Sequence, residues 1–226
     1  MGCGRRREGS TVDGMRDVRV VLIGGTSHAG KSTAARAVAD RLGFECRTTD
    51  RLARHPGRPW RTPVWEVPPH VAEHYRSLTV DELIDSVLGH YRRLWPRIEE
   101  LVAAHAAADG GRGGLVLEGS ALWPAEVAAL TAPNTAAVWL TADEEVISAR
   151  MRAESGYDAL ADEERRLVDA FLARTLRYQA LMLDHLAEPG LDRVEVDGRS
   201  PEEVADAVLA AVEAQGAVGR PAAGPH

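Results

Sequence analysis

The chain contains 27 lysine and arginine residues, and only one of them, Lys31, is a lysine. Residues 25–32 read Gly-Thr-Ser-His-Ala-Gly-Lys-Ser, the pattern G-x-x-x-x-G-K-[ST] of a loop that cradles phosphates. Lysine suits this position because a compact ammonium reaches the β- and γ-phosphates, whereas a planar guanidinium is too large. The motif and the single lysine predict a nucleotide site built on Gly25, Thr26, Ser27, His28, Ala29, Gly30, Lys31, Ser32 and Thr33.

A second set of residues that could do chemistry is the basic segment 47–61. It holds five arginines and a histidine against one acid, Asp50, in a chain of net charge −7. Because arginine pairs bidentately with carboxylate or phosphate, this local excess indicates an anionic acceptor. Arg51, Arg54 and Arg58 are the predicted acceptor-binding residues. Solvated surface arginines are the alternative interpretation.

The elements that must position these residues alternate between strands and helices. Residues 18–23 are apolar and β-branched and end at Gly24, which predicts a strand before the loop, and residues 32–42 have helical spacing up to Gly43. Four further apolar runs predict buried parallel strands at residues 44–47, 115–117, 136–140 and 194–196. This alternation is typical of a doubly wound α/β fold, with a parallel sheet covered by helices on both faces.

Sequence signals also mark where helices begin. Capping boxes are predicted at Thr79 with Glu82, at Thr141 with Glu144 and at Ser200 with Glu203. An apolar stripe predicts a long helix over residues 80–107, which Pro96 should kink or restart.

Composition limits the class of protein. The acidic balance makes nucleic acid an unlikely partner, no apolar stretch reaches the length of a membrane span, and two cysteines form no disulfide framework. Residues 1–10 are charged without an apolar core, unlike a signal peptide. We therefore expect a cytoplasmic protein. Residues 1–15 should be a disordered extension, with Met15 a potential start, residues 215–226 should be a flexible tail, and the oligomeric state stays open.

On these motifs the chain resembles the P-loop small-molecule kinases, the group of shikimate, gluconate and nucleoside-monophosphate kinases, over residues 18–213. It is also similar to bacterial 2-phosphoglycerate-kinase-like proteins, through residues 24–33 and the Thr-Thr-Asp at 48–50. The resemblance implies one kinase domain over residues 16–214, a five-stranded sheet of order 2-3-1-4-5 and a helical lid at about 150–166. It further implies ATP and Mg²⁺ as cofactors, with Ser32 binding the metal, and a small-molecule substrate phosphorylated on a hydroxyl group.

The resemblance also implies two carboxylates at strand ends. Asp50 would hold the acceptor hydroxyl and take its proton, or bind metal through water; a turn or N-cap aspartate is the alternative. Glu118 would orient water on Mg²⁺ or position the substrate, although aspartate is the commoner residue there, so its direct metal contact stays open. Gly119 after it would permit close approach of a substrate.

In the resembling kinases, lid arginines stabilise the charge on the transferring phosphoryl group. Arg152 is the predicted catalytic lid residue, with Arg150 and Arg174 as further choices, and an exposed helix face is the alternative for each. The segment 197–201 occupies the place where this group packs the adenine base.

Three other functions are weaker interpretations. A nucleotide-dependent switch without an acceptor remains the main alternative, although a GTPase of the usual kind would need a second lysine to read guanine. A kinase of polynucleotide hydroxyls conflicts with the net charge. His70 and His74 spell a zinc-protease pattern with Glu73, but no third ligand accompanies them.

Overall fold

The structure, a computed structural model, describes residues 17–53, 55–107, 113–187 and 191–218. Five parallel strands form its sheet, in the order β2-β3-β1-β4-β5, which confirms the predicted fold class and strand order. The strands are β1 (Val20–Gly25), β2 (Glu45–Thr48), β3 (Leu115–Glu118), β4 (Thr135–Thr141) and β5 (Asp192–Glu195).

Helices connect the strands and cover both faces of the sheet. They are α1 (Lys31–Leu42), α2 (Pro69–Ser77), α3 (Val80–Ala106), α4 (Pro124–Ala128), α5 (Glu144–Ser155), α6 (Asp162–Leu186) and α7 (Pro201–Val218), with single 3₁₀ turns at Thr49–Arg51 and Tyr157–Ala159. One hydrophobic cluster includes buried residues of α1, α2, α5 and α7, and the other lies mainly under α3 and α4. Helix α6 contributes to both clusters, so it spans the side of the molecule where strands β1 and β3 end.

The two outer strands differ from the sequence prediction. Strands β1 and β3 are buried along their whole length, as expected, but β2 is exposed or half-buried, and β5 buries only Val194. Both are edge strands with one neighbour, so a short apolar run does not make them interior. On β2, Glu45 and Arg47 pair along the exposed edge, with Nε to Oε1 at 2.7 Å.

Two of the three predicted capping boxes are confirmed. Thr79 and Glu82 exchange the expected bonds at the start of α3, and Ser200 and Glu203 do so before α7. The box at Thr141 is wrong, because β4 extends through Thr141 and α5 begins only after Asp143.

Helix α3 continues through Pro96, so the predicted restart is wrong. The apolar stripe read from the sequence faces the core, with Ile84, Val87, Leu94 and Ile98 all buried. The helix therefore supplies one unbroken wall beside the sheet.

The expected domain boundaries can be compared with the structure at the C-terminal end only. The expected extension at 1–15, including Met15, lies outside the described residues, whereas α7 continues to Val218. Gln215 is part of this helix, and its carboxamide bonds both the N–H and the carbonyl of Ala137 on β4. The folded domain therefore extends beyond residue 214. Among the described helices, none combines the length and the apolar character that a membrane crossing requires.

Candidate active site

The loop between β1 and α1 has its shape fixed by close packing against β4. Gly25 has φ of 134°, and a Cβ atom there would lie 2.5 Å from the carbonyl oxygen of Leu140. His28 and Gly30 also have positive φ values, of 65° and 84°, and Gly30 caps α1. The loop therefore curls around the N-terminus of a helix, where free backbone N–H groups favour an anion.

Lys31 is buried at the first position of α1. Its Nζ donates to the carbonyl of Thr26 at 2.6 Å, so the ammonium lies inside the curl of the loop. Burial lowers the pKa of Lys31, while the carboxylates of Glu118 and Asp50 act in the opposite direction. The lysine thus faces the two acidic residues singled out in the sequence.

Ser32 and Glu118 meet beside this lysine. The Ser32 hydroxyl donates to Oε1 of Glu118 at 3.0 Å, and Glu118 is 6% exposed at the end of β3. A hydroxyl and a carboxylate are oxygen ligands that Mg²⁺ accepts, usually with phosphate oxygens and waters completing the shell. No cluster of three or more His, Cys, Asp or Glu side chains that could hold a metal ion occurs in the described part of the chain.

Gly119 joins this centre to the next region. Its φ is 154°, and a Cβ atom would lie 1.8 Å from Oγ1 of Thr49. The end of β3 therefore packs directly against the 3₁₀ turn that carries Asp50. A close approach of two segments requires the glycine here, whatever ligand lies nearby.

A cavity of about 1060 Å³ opens from the phosphate loop. The loop supplies one end through Lys31 and Ser32, and Asp50 lies on the wall with Glu118 and Gly119. The remaining walls come from elements far apart in sequence and include Arg51, His55, Arg58, Trp65, His70, Tyr75, Tyr91, Glu154, Phe171 and Arg174. The cavity lies at the carboxyl ends of the strands, where open α/β sheets bind ligands.

The chain resembles known proteins in its structure. No protein family model matches the sequence, and no curated protein sequence does so either. Solved structures match over most of the chain. The gluconokinase of Sinorhizobium meliloti 1021 is 20% identical, with a TM-score of 0.53 over 90% of this chain and 96% of its own.

Two further structures agree with this result. A sugar kinase from Janibacter sp. HTCC2649 is 23% identical, with a TM-score of 0.51 over 90% of this chain and 99% of its own. The shikimate kinase of Aquifex aeolicus VF5 is 14% identical, with a TM-score of 0.50 over 89% and 99%. The chain has the fold of the P-loop kinases.

In this P-loop kinase fold, a second and smaller cavity of about 370 Å³ adjoins the loop. His28 and Gly30 line it from the loop, and Arg199 and Pro201 line it from the predicted adenine segment. Asp197 is used otherwise, since its carboxylate accepts the N–H of Asp143 at 2.8 Å. The cavity has the position predicted for the base, and its role stays a prediction.

The structure places the predicted arginines at different distances from the site. Arg51 and Arg58 line the larger cavity, and Arg150 donates to the carbonyl of His28 at 3.0 Å. Arg54 lies outside the described residues. Arg152 is exposed, lines neither cavity and lies with Cζ 5.1 Å from the ring centre of Tyr157. Residues 150 and 152 are about 200° apart around a helix, so only one of them can face the loop.

Arg174 on α6 is the cation most deeply set in the larger cavity. Its side chain is 7% exposed and its Cζ lies 4.3 Å from the ring centre of Phe171. No carboxylate forms an ion pair with it among the described residues, and its Nε has no partner. Arg174, predicted as a lid arginine, lies on the wall of the larger cavity together with Asp50 and Phe171.

His55 also lines the larger cavity, and two further histidines lie close to it. Burial lowers the pKa of His55 to about 3, and Arg174 and neighbouring histidines act in the same direction. The ring of His55 lies 5.3 Å from that of His74 and 5.3 Å from that of His90. His55 is thus a neutral group at physiological pH, able to form hydrogen bonds without charge.

Sequence reasoning missed several residues of the cavity, including Tyr91 and Phe171, and it counted His55 only as one member of the basic segment 47–61. Tyr91 had been grouped with the apolar stripe of α3, and burial raises its pKa to about 12. No local pattern distinguishes such a residue from an ordinary core residue. Only the packing of α3 and α6 against the 3₁₀ turn brings it to the cavity.

Proposed function

We propose that the protein is an ATP-dependent phosphotransferase that acts on a hydroxyl group of a small anionic metabolite. One observation carries the proposal: a single cavity contains Lys31 and Ser32 at one end and Asp50 with Arg174 on its walls. The first pair is suited to hold phosphates, and the second is suited to hold a hydroxylated anion. Phosphoryl transfer needs the attacking and leaving oxygens in line about the phosphorus atom, and side chains on facing parts of one cavity can hold the two reactants in that way.

The nucleotide end follows from the loop. Backbone N–H groups and Lys31 would bind the β- and γ-phosphates, and the smaller cavity would take the base. Mg²⁺, when bound, would neutralise charge on the phosphates, and the Ser32 hydroxyl and the Glu118 carboxylate fit such an ion. Burial of Lys31 strengthens its attraction for phosphate, because fewer waters screen the charge.

The acceptor end follows from Asp50 and the arginines around it. The Asp50 carboxylate would accept a hydrogen bond from the acceptor hydroxyl and orient its oxygen toward the γ-phosphate. Arg174 has no anion among its described neighbours, and a buried guanidinium is stable only with a hydrogen-bonding partner. A carboxylate or phosphate on the acceptor would supply that partner, and Arg51 and Arg58 add positive charge nearer the rim.

The volume of the larger cavity and the names of the structural neighbours support a small acceptor. The larger cavity must hold both the terminal phosphates and the acceptor, which leaves room for a compound of ordinary metabolite size. The neighbours are named as a gluconokinase, a sugar kinase and a shikimate kinase. We extend only the class of small hydroxylated acceptor to this chain.

ATP turnover against a panel of hydroxylated acids, sugars, nucleosides and antibiotics tests the proposal. We expect at least one anionic compound to be phosphorylated. The variant Asp50→Asn should abolish the transfer while leaving the affinity for ATP nearly unchanged, and the exposed Asp40 on α1 gives the control Asp40→Asn. Loss of ATP binding in Asp50→Asn would refute the acceptor assignment.

A nucleotide-dependent switch without an acceptor is the alternative function. It would be favoured if ATP binds, no panel member is phosphorylated and ATP hydrolysis is not stimulated by any of them. The cavity beyond the loop argues against it, because a switch needs no second binding site lined by Asp50 and Arg174.

A further inference from the structure

Glu154, next to the last residue of α5, bridges the phosphate loop and the acceptor wall. One of its carboxylate oxygens lies 3.0 Å from Nε2 of His28 in the loop, and the other accepts a hydrogen bond from Nη1 of Arg58. Arg150, one turn earlier on α5, donates to the carbonyl of His28. Three segments that are distant in the sequence therefore meet at one carboxylate.

The carboxylate lies where the two cavities join. Glu154 lines both of them, together with His28, Gly30 and Thr33 of the loop region. A nucleotide with its base in the smaller cavity and its last phosphate in the larger one must extend its phosphate chain across this junction. A carboxylate there repels the phosphates and competes with them for the same cation, Arg58.

The contacts are of a kind that a phosphate can replace. The side chains of Arg58 and Glu154 are 53% and 36% exposed, and an ion pair between partly exposed groups is weak. A phosphate group carries more charge than a carboxylate and offers an arginine the same bidentate geometry. Replacing the Glu154 carboxylate by a phosphate at Arg58 therefore costs little free energy, whereas a fully buried ion pair would be costly to break.

We propose that Glu154 is an internal stand-in for a nucleotide phosphate: its carboxylate holds Arg58 and His28, and an arriving nucleotide displaces it and takes over Arg58. The inference rests on the proposed function in so far as it requires a nucleotide at the junction. It identifies Arg58, predicted as an acceptor-binding residue, as a group that the nucleotide controls.

The consequence is a coupling between the two halves of the site. The carbonyl of Arg58 accepts a hydrogen bond from Nε1 of Trp65 at 3.2 Å, and Trp65 lines the acceptor part of the cavity. Moving Arg58 from Glu154 to a phosphate therefore acts on the segment that contacts the acceptor. We expect the nucleotide to bind first and to raise the affinity for the acceptor, because a ligand shifts an equilibrium by its different affinity for the two states.

Equilibrium binding without turnover tests the inference. The dissociation constants of ATP and of uncharged adenosine should be measured by calorimetry for the unchanged protein and for Glu154→Gln. The variant should bind ATP about fivefold more tightly, because the competing carboxylate is gone, and adenosine equally well. In the Glu154→Gln background, Arg58→Gln should then weaken ATP binding by about fivefold.

A matched control separates this effect from a general change of charge. Glu163 at the start of α6 pairs with Arg76 and lines neither cavity, so Glu163→Gln removes the same charge elsewhere in the lid region. Equal tightening of ATP in this control, equal tightening of adenosine, or unchanged or weaker ATP binding in Glu154→Gln would overturn the inference. If Glu154→Gln fails to fold, Glu154→Asp replaces it, because the shorter side chain cannot reach both partners. This variant should tighten ATP binding by a smaller factor. Unchanged ATP binding in Glu154→Asp would also overturn the inference.

The outcomes also separate this inference from the proposed function. Tighter ATP binding in Glu154→Gln with no acceptor phosphorylated would support the stand-in role and refute the kinase. Phosphorylation of an acceptor with unchanged ATP affinity in Glu154→Gln would support the kinase and refute the stand-in role. Absence of ATP binding by the unchanged protein would refute both.

Discussion

The proposed nucleotide side and the proposed acceptor side of the site are built in different ways. On the nucleotide side, one short stretch of chain sets the geometry through its backbone, with Gly25 packed against β4 and Lys31 bonded to a loop carbonyl. The acceptor side is assembled from side chains on separate elements, such as Asp50, Tyr91 and Arg174. The geometry proposed to bind phosphates is thus a local property of this sequence, whereas the geometry proposed to bind an acceptor depends on how distant helices pack and can change without altering the loop.

The largest expected effect comes from changing the nucleotide side alone. Lys31→Arg keeps the positive charge but cannot fit the buried space inside the loop, so kcat/KM for ATP turnover should fall about 1,000-fold, or ~4 kcal/mol. Steady-state kinetics would show it, with Arg36→Lys on the exposed face of α1 as a control that also exchanges the two cations. Turnover within tenfold of the unchanged protein would mean that the loop does not hold the phosphates.

A substitution at the contact between the two sides should act mainly on stability. Gly119→Ala places a Cβ atom against Thr49 at a φ value that other residues rarely adopt, which should lower the free energy of unfolding by ~3 kcal/mol. Gly113→Ala is the matched control, since a Cβ atom there meets nothing within 4 Å. Chemical denaturation of both variants gives the comparison, and equal stability would show that the two sides are not in close contact here.

The acceptor side should make the fold sensitive to acid. Burial, together with Arg174, His90, His74 and Arg93, lowers the pKa of His55 from 6.5 to about 3. The unfolded chain gains a proton on this residue near pH 6.5 and the folded protein does not, so the free energy of unfolding falls as the pH drops through this window. We expect a loss on the order of 2 kcal/mol between about pH 6.5 and about pH 4, less than the full linkage because the cavity admits water.

Denaturation curves at several pH values measure this slope. His55→Gln should flatten it, whereas the control His70→Gln, at an exposed position on α2, should leave it as it is. A slope that does not change in His55→Gln would mean that the histidine is freely hydrated in the folded protein.

The smallest of these effects separates acceptor binding from nucleotide binding. Arg174→Gln should raise KM for an anionic acceptor about tenfold, or ~1.4 kcal/mol, and leave KM for ATP within a factor of about two. Arg177→Gln, three residues along α6 and exposed, is the control. A larger effect on ATP than on the acceptor would assign Arg174 to the phosphates and the lid, as the sequence first suggested.

Those parts of the fold that depend on a local residue pattern could be predicted from the sequence. The glycine loop between a strand and a helix and the apolar runs were recovered from local signals, whereas the strand order came from the resemblance to the P-loop kinases. Errors arose where context decides: β2 and β5 were expected to be buried, and their position at the sheet edges exposes them. The box at Thr141 failed because Thr141 is still paired in β4.

The candidate site likewise contains residues that could be predicted from the sequence and residues that could not. The loop residues could be named from a motif, and Asp50 and Glu118 from the resemblance to the P-loop kinases together with their places after predicted strands. Arg152 was chosen over Arg150 without knowledge of which helix face points to the loop, and the structure turns Arg150 toward it. Phe171 carries no signal in the sequence, since its place in the cavity results from packing between helices, and His55 was marked only by its place in the basic segment 47–61.

The position of Lys31 has a consequence for chemical labelling. Because the sequence offers a single side-chain amine, an amine-reactive reagent has one side-chain target, and that target is 9% exposed with its Nζ held by the carbonyl of Thr26. The N-terminal α-amine is the other target, so the mass added to the peptide that contains Lys31 is the one that reports on the loop. The rate at which that mass appears measures opening of the loop without any engineered probe.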